Sequence, residues 1–162
     1  MNDLKDQDRD DREGDDDKDG DGDFSDMLSE MRILLPGAQM LSAFLIILPF
    51  NEGFGKIVHA EKLLFLATFF LSLTALVLLS APAVQHRVMR PLRNRARFKR
   101  IATRQIVAGA FSLAIALVLG TDLVISEVFG PVVGVVMAAI MAVLILCVWW
   151  LMPAWLKRHD KV

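Results

Sequence analysis

The residues best able to do chemistry in this chain are a few polar ones set among long apolar runs. Asp122 closes the third of these runs, and Glu127 follows in the apolar connector 123–130. A carboxylate in or beside hydrocarbon is costly while charged, so it invites a proton, a cation or a paired base. Lys62, at the outer start of the second run, is a possible partner for Asp122. Gln39, Ser80 and Ser112 sit at similar depths from the other end of their runs. A polar layer at that level could hydrogen-bond between helices, at roughly 0.6 kcal/mol per bond. Asp122, Glu127 and Gln39 are therefore the candidate transport residues. The plainer reading of Asp122 is a wet interfacial carboxylate. No ionisable residue falls near the middle of any run; the second run carries Ser72 and Thr74 there. Secondary transporters place substrate and ion sites near the bilayer midplane, so this pattern weighs against one.

Other chemistries find little support. The single cysteine, Cys147, excludes an internal disulfide framework and a cysteine-based zinc cluster. His59, His86 and His159 lie far apart and form no metal motif, and no nucleophile–base pair is visible. The expectation is no enzymatic activity, no metal site and no cofactor. Asp15, Asp17, Asp19, Gly20 and Asp21, with Asp26 eleven residues after Asp15, overlay a D-x-D-x-D-G calcium loop. The twelfth position is Asp rather than a bidentate Glu, the eighth is Gly22, and no apolar helix precedes it. An Asp-rich tail produces such a pattern by chance.

A second group of charged residues is topogenic. Arg87, Arg90, Arg93, Arg95, Arg97, Lys99, Arg100 and Arg104 fall within 84–105, which holds no acid. A basic patch can bind nucleic acid, but no recognition module accompanies this one. Its reading is a positive-inside loop facing anionic lipid headgroups, the partner expected here. Pro91 is expected to interrupt any helix in it.

The elements that must carry these residues follow from the apolar pattern. The chain has 162 residues, of which 54% are hydrophobic. Its 18 basic and 19 acidic residues nearly cancel to −1, but they occupy different stretches. Residues 1–32 carry 5 basic and 14 acidic residues, and 33–162 carry 13 and 5. Four apolar runs, about 33–50, 63–83, 106–123 and 132–150, approach the ~20 residues that cross ~30 Å of hydrocarbon as a helix. They are apolar all round, whereas helices of a soluble bundle would each show a polar stripe. The first and third are short, so their ends should reach the interface. The expected fold is all-α and integral to the membrane: four transmembrane helices within 33–156, behind a disordered acidic tail at 1–23.

With four spans, both termini and the basic loop share one side. The Lys/Arg bias makes that side the cytoplasm, with a basic tail at 157–162 adding Lys157, Arg158 and Lys161. Trp149, Trp150 and Trp155 would anchor the end of the fourth span at the interface. No cleavable signal peptide is visible, so the first span should stay as an anchor. Phe24, Met27, Leu28, Met31 and Leu35 share one helical face. Residues 24–32 thus read as an interfacial amphipathic helix, with Asp23 as N-cap and Pro36 kinking or starting the span. Spans three and four carry small residues every fourth position: Ala108, Ser112, Ala116, Gly120, then Gly130, Gly134, Ala138, Ala142. Such strips let backbones approach closely, within the hairpin or between subunits of a homo-oligomer.

Several short motifs together resemble a known family. They are Glu30-Met31-Arg32, Leu34 to Gln39, Phe44, Pro49-Phe50, Phe54, Ala81-Pro82 with His86-Arg87, and Thr121-Asp122 with Phe129-Gly130. Their order over about 24–150 resembles a bacterial family of small four-span membrane proteins of unknown function. Some members carry an automatic label of sodium:proton antiporter. The resemblance implies a bacterial inner-membrane location and offers no catalytic residues; the tail 1–23 lies outside the pattern. Two functions stay open. One is a structural or interaction role at the cytoplasmic membrane. The other is an ion-coupled sodium/proton transporter, or an accessory subunit of one, working as an oligomer.

Overall fold

The computed structural model describes Ser29 and residues 31–50, 58–89 and 95–159, with the backbone alone at 95 and 96. Four antiparallel helical rods make up the fold, each long and apolar enough to cross a membrane. Helix α1 is Met31–Phe50, its last turn Leu48–Phe50 being 3-10. Helix α2 is His59–Val88 and α3 is Arg95–Phe129. Helix α4, Pro131–Ile145, continues through a π-helical turn, Leu146–Leu151, into α5, Met152–His159. Charge and topology then coincide. The antiparallel course brings Met31, the α2–α3 connection and the end of α5 to one end of the bundle, called here the basic end.

The rods run farther than the apolar runs alone imply. Helix α2 has 30 residues and α3 has 35, or about 45 and 52 Å at ~1.5 Å per residue, against ~30 Å of hydrocarbon. The third span, expected to be short, is the longest. Two expectations are corrected here. The stretch 84–105 is not a loop throughout, since α2 continues to Val88 and α3 begins at Arg95. The stretch 123–130 is not a connector, since α3 continues to Phe129 and Gly130 alone joins it to α4. Gly130 has φ 92° and ψ 163°, a region essentially restricted to glycine. Pro131 then starts α4, where a missing N–H costs nothing.

Local chemistry explains the other irregularities. At the start of α2 the Glu61 carboxylate accepts a hydrogen bond from the Val58 N–H at 3.0 Å. Val58 has no side-chain acceptor, so only this half of a capping box can form. Helix α1 begins before Pro36 and runs through it, so Pro36 does not start the span. In the fourth rod, Pro153 has no N–H for the Trp149 carbonyl, and its ring crowds that oxygen. The helix widens just before it, and the Met152 N–H reaches back to Cys147 O, five residues away.

Helices α1, α2 and α3 pack around Ala38, Ala75, Leu79 and Leu113, flanked by Leu34, Leu35, Leu41, Leu76, Ile106 and Leu117. A Cβ on Gly109 would lie 2.9 Å from Leu79 Cγ, and one on Gly120 would lie 3.7 Å from Thr68 Cγ2. The two contacts share one antiparallel register, which sets Ser72 level with Ala116. Helix α4 packs on α3 and not on α2. Its outer face is apolar and exposed, as at Val132, Val135, Ile140 and Val143. Water would not tolerate so large an apolar surface, and lipid would. The fold is an all-α, four-span integral membrane fold.

The expected tail 1–23, with its Asp15–Asp26 calcium-like pattern, lies outside the described residues, as do most of the helix expected at 24–32 and residues 160–162.

Candidate functional site

Asp122 lies two turns short of the end of α3, because the helix continues through 123–129. The same continuation puts Ser126 one turn beyond it on the same face. The Ser126 hydroxyl donates to Asp122 Oδ1 at 3.2 Å. Sequence alone does not single out Ser126, because a connector over 123–130 carries no i, i+4 relation. Across from it, a Cβ on Gly134 would lie 2.9 Å from both the Cβ and the backbone nitrogen of Ser126. Only glycine lets α4 approach this closely.

Two adjoining cavities follow the α3–α4 seam. One, about 270 Å³, is lined by Val118, Leu119, Asp122, Val135, Ala138, Ala139 and Ala142. The other, about 240 Å³, is lined by Phe111, Ala114, Ile115, Val118, Ala142, Ile145, Leu146 and Trp150. They share Val118 and Ala142, so they form one groove. Asp122 is the only ionisable side chain in its lining. At the far end the Phe111 and Trp150 rings meet edge-on, with centroids 6.2 Å apart. The seam is open because alanines face it on both helices, too small to fill the space beyond the tight Gly134 contact.

The other candidates are not gathered into this site. Glu127 is exposed, and Gln39 is exposed on the outer face of α1. Among the described residues no ion pair joins Lys62 to Asp122. Nor do Gln39, Ser80 and Ser112 form a polar layer: Ser80 donates to its own helix, at Val77 O, 3.1 Å away. The polar link between helices is instead one turn deeper, where the Ser42 hydroxyl donates to Ser72 Oγ at 3.2 Å. Both are buried, and Ser72 in turn donates to Phe69 O at 2.8 Å. Thr68, fully buried, donates to Leu64 O. This cluster is closed on itself and lined by α1, α2 and α3.

The small-residue strips face different neighbours. Gly134 and Ala138 are buried against α3, and Ala142 lines the groove beside it. The strip on α3 points away from α4: Ala116 is fully buried, and Gly120 faces Thr68 and Leu41. Ala108 is exposed, and its neighbour Gly109 makes the close approach.

At the basic end, Arg87 stands exposed on the last turn of α2, and Arg97, Lys99, Arg100 and Arg104 on the first turns of α3. Phe98 and Ala102 are buried between these cations, and the His86 ring lies 6.1 Å from that of Phe98. The helices therefore hold together where a loop was expected. The side chain of Arg95 and all of Arg90, Pro91 and Arg93 lie outside the described residues. Lys157, Arg158 and His159 occupy the last turn of α5 at this end, where cations suit the helix dipole. Gln105 Oε1, just inside, is buried with no hydrogen-bond partner among the described residues. Trp155 packs on His159 at 4.4 Å between centroids. No group of three His, Cys, Asp or Glu among the described residues could hold a metal ion.

Neither the curated proteins nor the solved structures contain a match to the chain. A family model does match it, over residues 13–153, so the match begins inside the acidic stretch rather than after it. Most of the chain is covered, including the first three rods and the fourth up to the start of α5. The chain belongs to this family of small multi-span membrane proteins, the family of unknown function DUF6328.

Proposed function

We propose that this protein is a structural or interaction component of a bacterial inner membrane, seated on anionic headgroups through its basic end. The observation that carries this reading is the helical continuation of α2 and α3 beyond the length of a bilayer. It presents Arg87, Arg97, Lys99, Arg100 and Arg104 on a packed platform rather than on a loop. Each such cation near an anionic surface contributes about 1 kcal/mol. The same cations orient the chain with both termini in the cytoplasm. Catalysis and nucleic-acid binding have no place in this reading.

The test uses the full chain in nanodiscs. Phosphatidylglycerol should raise its melting temperature relative to phosphatidylcholine, and Arg100→Gln with Arg104→Gln should remove most of that gain. Equal stability in both lipids would sink the proposal. Reporter fusions after Val162 should report cytoplasm, and fusions within 53–58 the outside.

A second reading, ion-coupled transport by a homo-oligomer, is favoured by one observation. Asp122 is not terminal: it lies six residues, or about 9 Å, from the level of Ala116 and Ser72. A bilayer centred there would reach about 15 Å to each side and leave Asp122 inside the hydrocarbon. Sodium or proton flux in proteoliposomes, lost in Asp122→Asn, is the expected result. Unchanged flux in that variant would remove Asp122 from any such mechanism.

A further inference from the structure

The groove along α3 and α4 has a chemistry distinct from that of the basic end. Its walls are aliphatic and carry one carboxylate. Ser126 engages Oδ1 of that carboxylate, and Oδ2 takes none of the hydrogen bonds among the described residues. No Lys or Arg occurs anywhere from 105 to 156, so neither wall can supply a countercharge. A carboxylate beside hydrocarbon favours a cation, and the groove lining supplies none among the described residues.

The walls also restrict which cation fits. Hard ions such as calcium or magnesium take six or more oxygen ligands, some of them water. Here Asp122 and Ser126 are the only side-chain oxygens at hand, and the rest of the lining is hydrocarbon. A cation that keeps its own apolar shell loses nothing in such a place. From Asp122 to Phe111 is eleven residues, about 16 Å, so the groove extends over about half of a ~30 Å hydrocarbon layer. Only together do the two cavities, about 270 and 240 Å³, reach the range of small-molecule sites, ~300–1,000 Å³. Val135 and Ala139 are exposed at its edge, so entry is sideways, from the lipid.

We propose that the α3–α4 groove binds lipophilic monocations, the alkyl or aryl body lying along the alanine-lined seam and the positive head against Asp122. The site is independent of the headgroup contacts at the basic end. Gly134 keeps the seam closed above Asp122, which sets the position of the head; the Phe111–Trp150 pair closes the other end, which sets the length of the body.

The experiment measures radiolabelled tetraphenylphosphonium binding to the full chain in nanodiscs of zwitterionic lipid, with empty nanodiscs as background. Saturable binding at one site per chain is expected, displaced by dodecyltrimethylammonium and not by dodecanol. Asp122→Asn should weaken it at least tenfold. Ala139→Phe, which fills the groove from an exposed position, should do the same, while Glu127→Gln leaves it unchanged. Thermal melts of each variant establish that the fold persists; if Asp122→Asn fails to fold, Ala139→Phe carries the test. Binding no greater than to empty discs, equal affinity in the folded variants, or displacement by dodecanol as effective as by the ammonium would each overturn the proposal. The last outcome would make the groove a seat for lipid tails.

Discussion

The α1–α2–α3 core and the α3–α4 hairpin are built from the same kinds of residue and differ in closure. In the core, three helices meet, and small residues at the junction are enclosed. Ala38, Ala75 and Ala116 are fully buried, and the Ser42 hydroxyl donates to Ser72, which donates to Phe69 O. In the hairpin, α4 packs on α3 and not on α2, so the same small residues bury one line of contact and leave a groove beside it. Small residues close a three-helix junction and open a two-helix one. Polar groups follow suit: the core's hydroxyls bond to each other or to their own helices, while the hairpin's carboxylate keeps one oxygen unengaged among the described residues.

This contrast can be broken most severely at Gly109. Gly109→Leu places a side chain where even a Cβ would sit 2.9 Å from Leu79, itself fully buried. Overpacking typically costs 1–3 kcal/mol, and a chain this large should exceed about 3. The expected result is loss of the folded peak in size-exclusion chromatography, or a melting temperature lowered by many degrees. A wild-type melt would show that the core is not closed there.

Gly134→Ala sharpens the comparison with a lesion of the same kind in the hairpin. The new Cβ would meet the backbone of Ser126, which cannot step aside, so α4 must swing away from α3. The expected cost is about 1–3 kcal/mol. The damage should stay local: proteolysis or hydrogen exchange should rise in α4 and leave α1 and α2 protected. Uniform loss of protection would mean that α4 belongs to the core's cooperative unit. Ala116→Leu against Ala138→Leu repeats the contrast, with the larger fall in melting temperature expected at the fully buried Ala116.

Gly130→Ala asks how much the hairpin depends on its one-residue joint. Alanine at φ 92° is strained by of order 1–3 kcal/mol, and the joint can relax part of that by fraying the last turn of α3. A melting temperature lowered by a few degrees is expected, and an unchanged one would mean the joint adopts another conformation. The smallest effect is Ser72→Ala. It removes the α1–α2 hydrogen bond at a cost of about 0.6 kcal/mol, measurable by unfolding in mixed detergent. A cost above about 2 kcal/mol would make the hydroxyl pair the main tie of the core.

Composition and periodicity by themselves determined that four helices span a membrane, how many there are and that the cations gather at one end. Those properties depend on whether a stretch can leave water, and apolar length decides that residue by residue. Where the helices stop was less legible. Apolar length says nothing about turns beyond the hydrocarbon, which backbone hydrogen bonding and local contacts sustain: Phe98 against His86 at one end, and Ser126 against Gly134 at the other. The candidate site was legible in one residue. Asp122 stands out as an acid among apolar neighbours, but its depth, its Ser126 partner and its groove required knowing that α3 runs on to Phe129. The fate of the two small-residue strips was decided by tertiary structure alone. A strip permits close approach on one face and does not name the helix that approaches; that depends on rotation about the helix axis, which packing with all neighbours sets together.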